Sequence, residues 1–346
     1  MAVSFDELIS RLKVAQAPED AFDGVVSAED LRARFREWAA LLHPDKHRAT
    51  ATAARADEGF KLLNTWHKKA LAKMKDGHYG DRSWIEPVTL KTKKEDYIIT
   101  RRVAEGDVTN AYQAGKYALK ICRNPANNDL LINEAEILRY LWEEAATKDL
   151  KAMTHIVKYH DSFELASAGA RKQVNICQFA EGYYTLAQVR SAYANGIDMR
   201  DSAWMFNRVL GALVVTQQAG VVHNAILPEH VLIHPAEHNA RLCGWSAATR
   251  GKAPVKVMVG RRLEFYPPEV AARRPTTPAT DLYMLAKTIL FVTNPATLPR
   301  NLAGFLRACL LAQRLRPQDP WAVFQEFFEE LKAAFGERKF RRFAMT

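Results

Sequence analysis

Cysteine is scarce in this chain. Its four residues in 346, Cys122, Cys177, Cys243 and Cys309, lie far apart and form no paired motif. That excludes a disulfide scaffold and a zinc ribbon and suits a reducing compartment. Long apolar runs are also missing. The best, Leu282–Val292, is broken by Lys287 and falls well short of the ~20 residues that span a bilayer. The opening MAVSFDELISRLK carries Asp6 and Glu7 where a secretion signal has its apolar stretch. The expectation is a cytoplasmic protein with no membrane partner.

What is present is ordinary globular composition, 48% hydrophobic and 25% charged, in a chain long enough for two or three domains. Net charge is +10, unevenly placed. Residues 1–80 hold 13 basic against 12 acidic residues, and the remainder holds 36 against 27. The densest basic patch is the tail from Gly336, GERKFRRF, with Phe340 and Phe343 interleaved. Such a pattern suits nucleic acid or an acidic partner, but the plainer expectation is a solvated, frayed end, with nucleic acid not a partner.

Ser4 with Glu7 is a capping box. Phe5, Leu8, Ile9 and Leu12 follow at helical spacing. A second helix opens at Ser27, buries Leu31, Phe35, Trp38 and Leu42, and turns Arg32 and Arg36 to solvent. Pro44 ends it at His43-Pro44-Asp45. A mobile stretch is expected over 46–53, then a third helix from about Ala54 to Lys75. This order, with Ala39-Ala40-Leu41-Leu42-His43-Pro44-Asp45-Lys46 and Phe60-Lys61-Leu62-Leu63-Asn64, resembles the J domain of DnaJ-type co-chaperones over residues 4–75. The resemblance implies docking on a DnaK-type ATPase chaperone and stimulation of its ATP hydrolysis. The implied partner-binding residues are His43, Pro44, Asp45, Arg32, Arg36 and Lys46. The 16–26 loop is longer than in many J domains, and neither a Gly/Phe-rich segment nor a four-fold CxxC domain follows.

Beyond about residue 80 the periodicity changes to strand-like alternation. Asp96–Val103 and Thr109–Gln113 read as a hairpin around Gly106, and Lys116–Ile121 as a strand carrying Lys120. Leu131–Leu138 reads as a helix carrying Glu134, with Ile132, Ala135, Leu138 and Leu141 at helical spacing. Two further strands, an apolar helix over Trp204–Gly220 and the stretch VHNAILPEHVLIHPAEHNARLCGWS at Val222–Ser246 follow. Tyr266-Pro267-Pro268-Glu269, Asp281-Leu282-Tyr283 and Arg316-Pro317 complete a series that resembles the motifs of protein kinases in order. The resemblance implies that Gly106, Lys120 and Glu134 bind nucleotide. It also implies that His223, Trp245 and Leu138 stack in the core, that Asp281 anchors the loop after His223, and that Glu269 pairs with Arg316 in a buried ion pair.

The same resemblance marks what is missing. A kinase loop reads His-Arg-Asp-Leu-Lys-Pro-Glu-Asn, followed by Asp-Phe-Gly. Here the base, the phosphate-steadying lysine and the two magnesium-holding residues correspond to Ala225, Leu227, His230 and Gly244. None offers the oxygen that magnesium prefers, so relocated acids such as Glu229 or Asp161 would be needed. Asp161 aside, His230, His234 and His238 recur every four residues, but VLIHP reads as strand then turn, so no metal site is expected.

The expectation is therefore a multidomain chain: an all-α helical-hairpin J domain at 1–78, a linker at 79–95, an α+β bilobal protein-kinase-like fold at 96–335 and a basic tail at 336–346. It is expected not to be an enzyme, and to need no cofactor beyond a weak metal-independent hold on ATP. Its function would be co-chaperone, with the body binding an unknown client. An atypical protein kinase or a nucleotide-binding regulatory scaffold is the alternative.

Overall fold

The computed structural model describes residues 3–48, 52–145, 152–167 and 169–345. Two compact units divide the chain: Met1–Val103 with Tyr112–Gly115, and Ala104–Ala111 with Lys116–Thr346.

The first unit begins with helix α1, Phe5–Val14. Ser4 Oγ accepts from the Glu7 amide at 3.3 Å and the Glu7 carboxylate accepts from the Ser4 amide at 3.0 Å, so two donors at the helix start are satisfied. A short helix α2, Pro18–Ala21, occupies the 16–26 loop. Helix α3, Ala28–Leu42, starts at Ser27, and α4, Pro44–His47, is a single helical turn. Helix α5 runs Ala53–Lys75. The sequence reading of a mobile stretch over 46–53 is corrected at its start, where residues up to His47 are helical; residues 49–51 lie outside the described residues.

Gly59 shows why α5 fits. A Cβ there would stand 3.1 Å from Ile9 and 3.4 Å from Leu42, so its bare backbone lets α5 press on α1 and α3 together. His67 stacks on Phe35 at 3.9 Å, further along the pair, so α3 and α5 run antiparallel. Leu8, Leu12, Leu31, Trp38, Leu42 and Leu63 fill the core between them.

The segment read as a linker is built in. Strand β1, Trp84–Lys91, pairs antiparallel with β2, Asp96–Glu105. Lys73, only 2% exposed, bonds Glu19 at 2.7 Å and the Asp81 carbonyl at 2.7 Å. Backbone groups of Gly80 and Asp81 are bonded to Glu19 and Lys73 of the helices.

In the second unit, β3 (Thr109–Ala114, its residues divided between the units) precedes β4, Tyr117–Cys122. Helix α6 is Asn128–Arg139. Strands β5, Tyr159–Ser167, and β6, Ala170–Gln178, follow, in the antiparallel order β4-β6-β5. Then come β7, Tyr184–Thr185, α7, Leu186–Ala192, and the long buried α8, Met199–Gln218. Short strands β8, Val221–Val222, β9, Val231–His234, β10, Asn239–Leu242, and β11, Thr249–Arg250, frame the loop after α8. Helices α9, Pro268–Ala271, α10, Pro278–Val292, α11, Arg300–Ala308, and α12, Pro320–Phe335, complete the unit. Its core joins Leu138, Phe206, Trp245, Leu285 and Phe327. Among the described residues no helix is long and apolar enough to cross a membrane.

The tail is also corrected. Arg341 bonds Asp201 at 3.1 Å, and Phe343, 7% exposed, stacks on Tyr193. Phe343 thus finds a place on the body that a basic run alone does not reveal, while Phe340 stays 75% exposed.

Candidate functional site

The predicted residues gather in two places, one in each unit. In the first, His43 ends α3 and caps α4, its Nδ1 accepting from the Asp45 amide at 3.3 Å. Pro44 holds the first helical position, where its missing N–H costs nothing. The Asp45 carboxylate meets Arg48 at 2.6 Å, and the His43 and Asp45 side chains are 48% and 57% exposed. Arg32, Arg36 and Lys46 are exposed too. The turn is therefore rigid, outward and flanked by positive charge.

In the second, Lys120 on β4 reaches Glu134 on α6 at 2.5 Å. Glu134 is 1% exposed. Its carboxylate also accepts from the Trp245 amide at 3.0 Å and the Asn175 amide group at 3.2 Å. Burial alone would raise the Glu134 pKa; the Lys120 ammonium, with those two donors, outweighs it and holds the carboxyl below its usual range. Burial likewise works against the Lys120 charge, and Glu134 overcomes it, raising the lysine. An ammonium has three donors, and Glu134 takes one, on a side chain still 23% exposed. Asn175, opposite Lys120 in the β4–β6 register, was missed from sequence. Its signal is a polar residue in the middle of Val174-Asn175-Ile176.

The loop after α8 is closed on itself. Asp281 accepts from the amides of His223 at 2.7 Å and Asn224 at 2.8 Å. Burial pushes the Asp281 carboxyl up to about 7 against those two amides. Asn224 has φ 63, and its amide group donates to Val222, Ala247 and Thr249. His223, fully buried, bonds the Cys243 carbonyl and packs edge-on against Trp245 at 4.4 Å. Burial keeps its pKa well below the usual value. Ala225 and Leu227 are buried. Glu229 lies against Arg262 at 2.7 Å, and Asp161 stands on β5 opposite Ile176. Glu269 and Arg316, 1% and 0% exposed, meet at 2.6 Å.

His230 and Gly244 form one fitted pair. The His230 Nδ1 bonds the Ala225 carbonyl at 2.8 Å. A Cβ at Gly244 would stand 2.6 Å from the His230 ring, and Gly244 has φ 81. An acidic side chain at 244 is therefore excluded by space and by backbone while His230 stays in place. Burial lowers the His230 pKa, so the ring is neutral. These residues do not fit a magnesium ion: they offer a bonded imidazole and a glycine where carboxylate or amide oxygens are required.

Gly106 is not placed as a phosphate cradle. Its amide donates to the Thr109 carbonyl at 2.8 Å, and its own carbonyl accepts from Arg123 at 2.9 Å. His230, His234 and His238 do not converge; His234 meets Tyr183 and His238 meets Trp204. Among the described residues no three His, Cys, Asp or Glu side chains could hold a metal ion.

Comparison of the fold decides its class. The crystal structure of a kinase domain matches with TM-score 0.51 at 15% identity, covering 70% of this chain and 95% of that one. A structure of vaccinia related kinase 3 matches with TM-score 0.57 at 13% identity, covering 72% and 91%. The body has the protein-kinase fold. No protein-family model and no curated protein matches the sequence. The expectation that the chain is not an enzyme is withdrawn on this finding: the body is built as solved kinase domains are over most of their length.

Proposed function

We propose that the body is an atypical kinase-fold module that holds a nucleotide at Lys120 without a metal ion, and that this occupancy regulates the chain. The observation that supports it is the intact Lys120–Glu134 pair at 2.5 Å beside a loop whose His230 ring lies against Gly244. A preformed lysine can meet phosphate oxygens with its remaining donors. The test is calorimetric titration with ATP, with and without magnesium. Equal binding in both is expected, and Lys120→Met should abolish it. Labelled ATP in the same samples reports any transfer of the γ-phosphate.

A second reading concerns the helical unit. We infer that it acts as a J domain and recruits a DnaK-type ATPase, with the body holding a client, in the cytoplasm. What supports it is the rigid, exposed His43-Pro44-Asp45 turn beside Arg32 and Arg36. A positive face steers toward an acidic partner. The wild-type chain should stimulate the ATPase of a DnaK-type chaperone and His43→Gln should not; no stimulation across several such chaperones sinks the reading.

A further inference from the structure

Away from the Lys120 site, α8, α12, the β9–β10 turn and the tail enclose two cavities, of about 490 and 810 Å³. Asn207, Arg208, His238 and Phe324 line both, so they are arms of one cleft. Three of its buried polar atoms lack partners. His238 is 8% exposed, and its Nε2 has no hydrogen-bond partner. The Trp204 indole N–H and the Asn207 Oδ1 are buried without partners as well. Buried polar atoms are nearly always bonded, and three orphans around one cleft mark a place where something polar belongs.

The His238 ring is held there firmly. It stacks between Trp204 at 4.7 Å and Phe340 at 4.6 Å. Its backbone has φ 48, the left-handed region that histidine enters in turns more readily than most residues.

Some charges around the cleft are paired and some are not, and Glu237 and Lys339 line it too. Arg200 pairs with Asp198, Arg341 with Asp201 and Lys332 with Glu337. Arg208 and Arg338 have no acidic partner among the described ion pairs; Arg208 Nε bonds only the His238 carbonyl, at 3.0 Å. Arg208 and Arg338 both line the larger cavity, and burial first, with the Arg338 charge second, lowers the Arg208 pKa.

We propose that this cleft is a binding site for a small organic phosphate bearing hydroxyl groups, and that the ligand clamps the C-terminal tail onto α8. The phosphate would lie between Arg208 and Arg338, taking further hydrogen bonds from the Trp204 Nε1 and the His238 Nε2. A ligand hydroxyl would satisfy the Asn207 Oδ1. Arginine suits this role because its planar fork matches phosphate oxygens, and the apolar wall at Phe324 and Phe328 covers the carbon body. Arg338 is on the tail and Arg208 on α8, so one anion between them joins the two segments.

The test uses the whole chain with glycerol 3-phosphate as probe, glycerol as the neutral control and inorganic phosphate as the bare anion. Glycerol 3-phosphate should raise the melting temperature in proportion to ln(1 + [L]/Kd) and slow trypsin cleavage at Arg338 and Lys339. Glycerol should do neither, and inorganic phosphate should bind more weakly. Arg208→Gln with Arg338→Gln should remove both effects, while Lys120→Met keeps them, which separates this site from the nucleotide site. Arg338→Gln alone, on an exposed side chain, serves if the double variant does not fold. No response to either phosphate, or an equal response in the variants, overturns the proposal. So does retention on phosphatidic acid vesicles without a response to the soluble phosphate.

Discussion

Two loops of this molecule begin with histidine, and they use it in opposite directions. At His43-Pro44-Asp45 the imidazole caps a helical turn, and the side chains stand half in solvent. At His223-Asn224-Ala225 every residue is buried, and the amides of His223 and Asn224 end on Asp281. The first loop presents its polar groups to solvent. The second consumes its polar groups in holding its own shape. The difference teaches that a motif's worth lies in where its donors and acceptors point, which a residue string does not state.

The largest expected effect breaks the buried loop. Asp281→Ala would leave two buried amides without an acceptor, at about 1–3 kcal/mol each, so denaturant unfolding should show a loss of about 2–6 kcal/mol. Asp45→Ala, in the exposed loop, removes a surface ion pair and should cost less than about 1 kcal/mol. Next comes Gly244→Asp, which sets a Cβ into the His230 ring at a left-handed backbone. Strain of about 1–3 kcal/mol is expected. His230→Asn in the same chain should recover part of it, giving a measurable coupling in a double-mutant cycle.

Much of this was legible in sequence, and the parts that were not share a cause. Ser4 and Ser27 announce their helices because a cap acts within three residues. Lys120, Glu134, Glu269 and Arg316 are legible through ordered motifs, and the structure brings each pair together. The strand at Trp84–Lys91 was hidden because its polar neighbours, Asp81 and the Lys73 ammonium, bond to Arg101 and Glu19, 20 and 54 residues away. Asp201 and Arg341, 140 residues apart, could not be paired by any local pattern. Gly106 had the right residue type, but its amide is bonded within the hairpin, which only coordinates reveal.

Acid offers a gentler comparison. Burial lowers the pKa of four histidines in the body, His155, His223, His230 and His238, and of His67 in the helical unit. Below about pH 6.5 the unfolded chain takes up protons that these buried rings refuse, so stability falls as pH drops. Each such proton tilts the balance by about 1.4 kcal/mol per pH unit. Asp281, pushed up to about 7, acts the other way, since the fold keeps a proton that the unfolded chain has released. Four rings against one carboxyl leave a net loss in acid. Hydrogen exchange on the whole chain from pH 7 to 5 should show body amides losing protection faster than amides in α3 and α5. The smallest expected effect is on stability at His43: His43→Gln, which removes the cap of a single helical turn, should shift unfolding by about 0.5 kcal/mol while removing stimulation of a DnaK-type ATPase.

The central claim is that the Lys120 site takes nucleotide without metal. Titrating ATP into the whole chain, with magnesium and with a chelator, tests it most directly. The account predicts the same affinity in both and no binding by Lys120→Met. Binding that requires magnesium, or no binding in either condition, would contradict it.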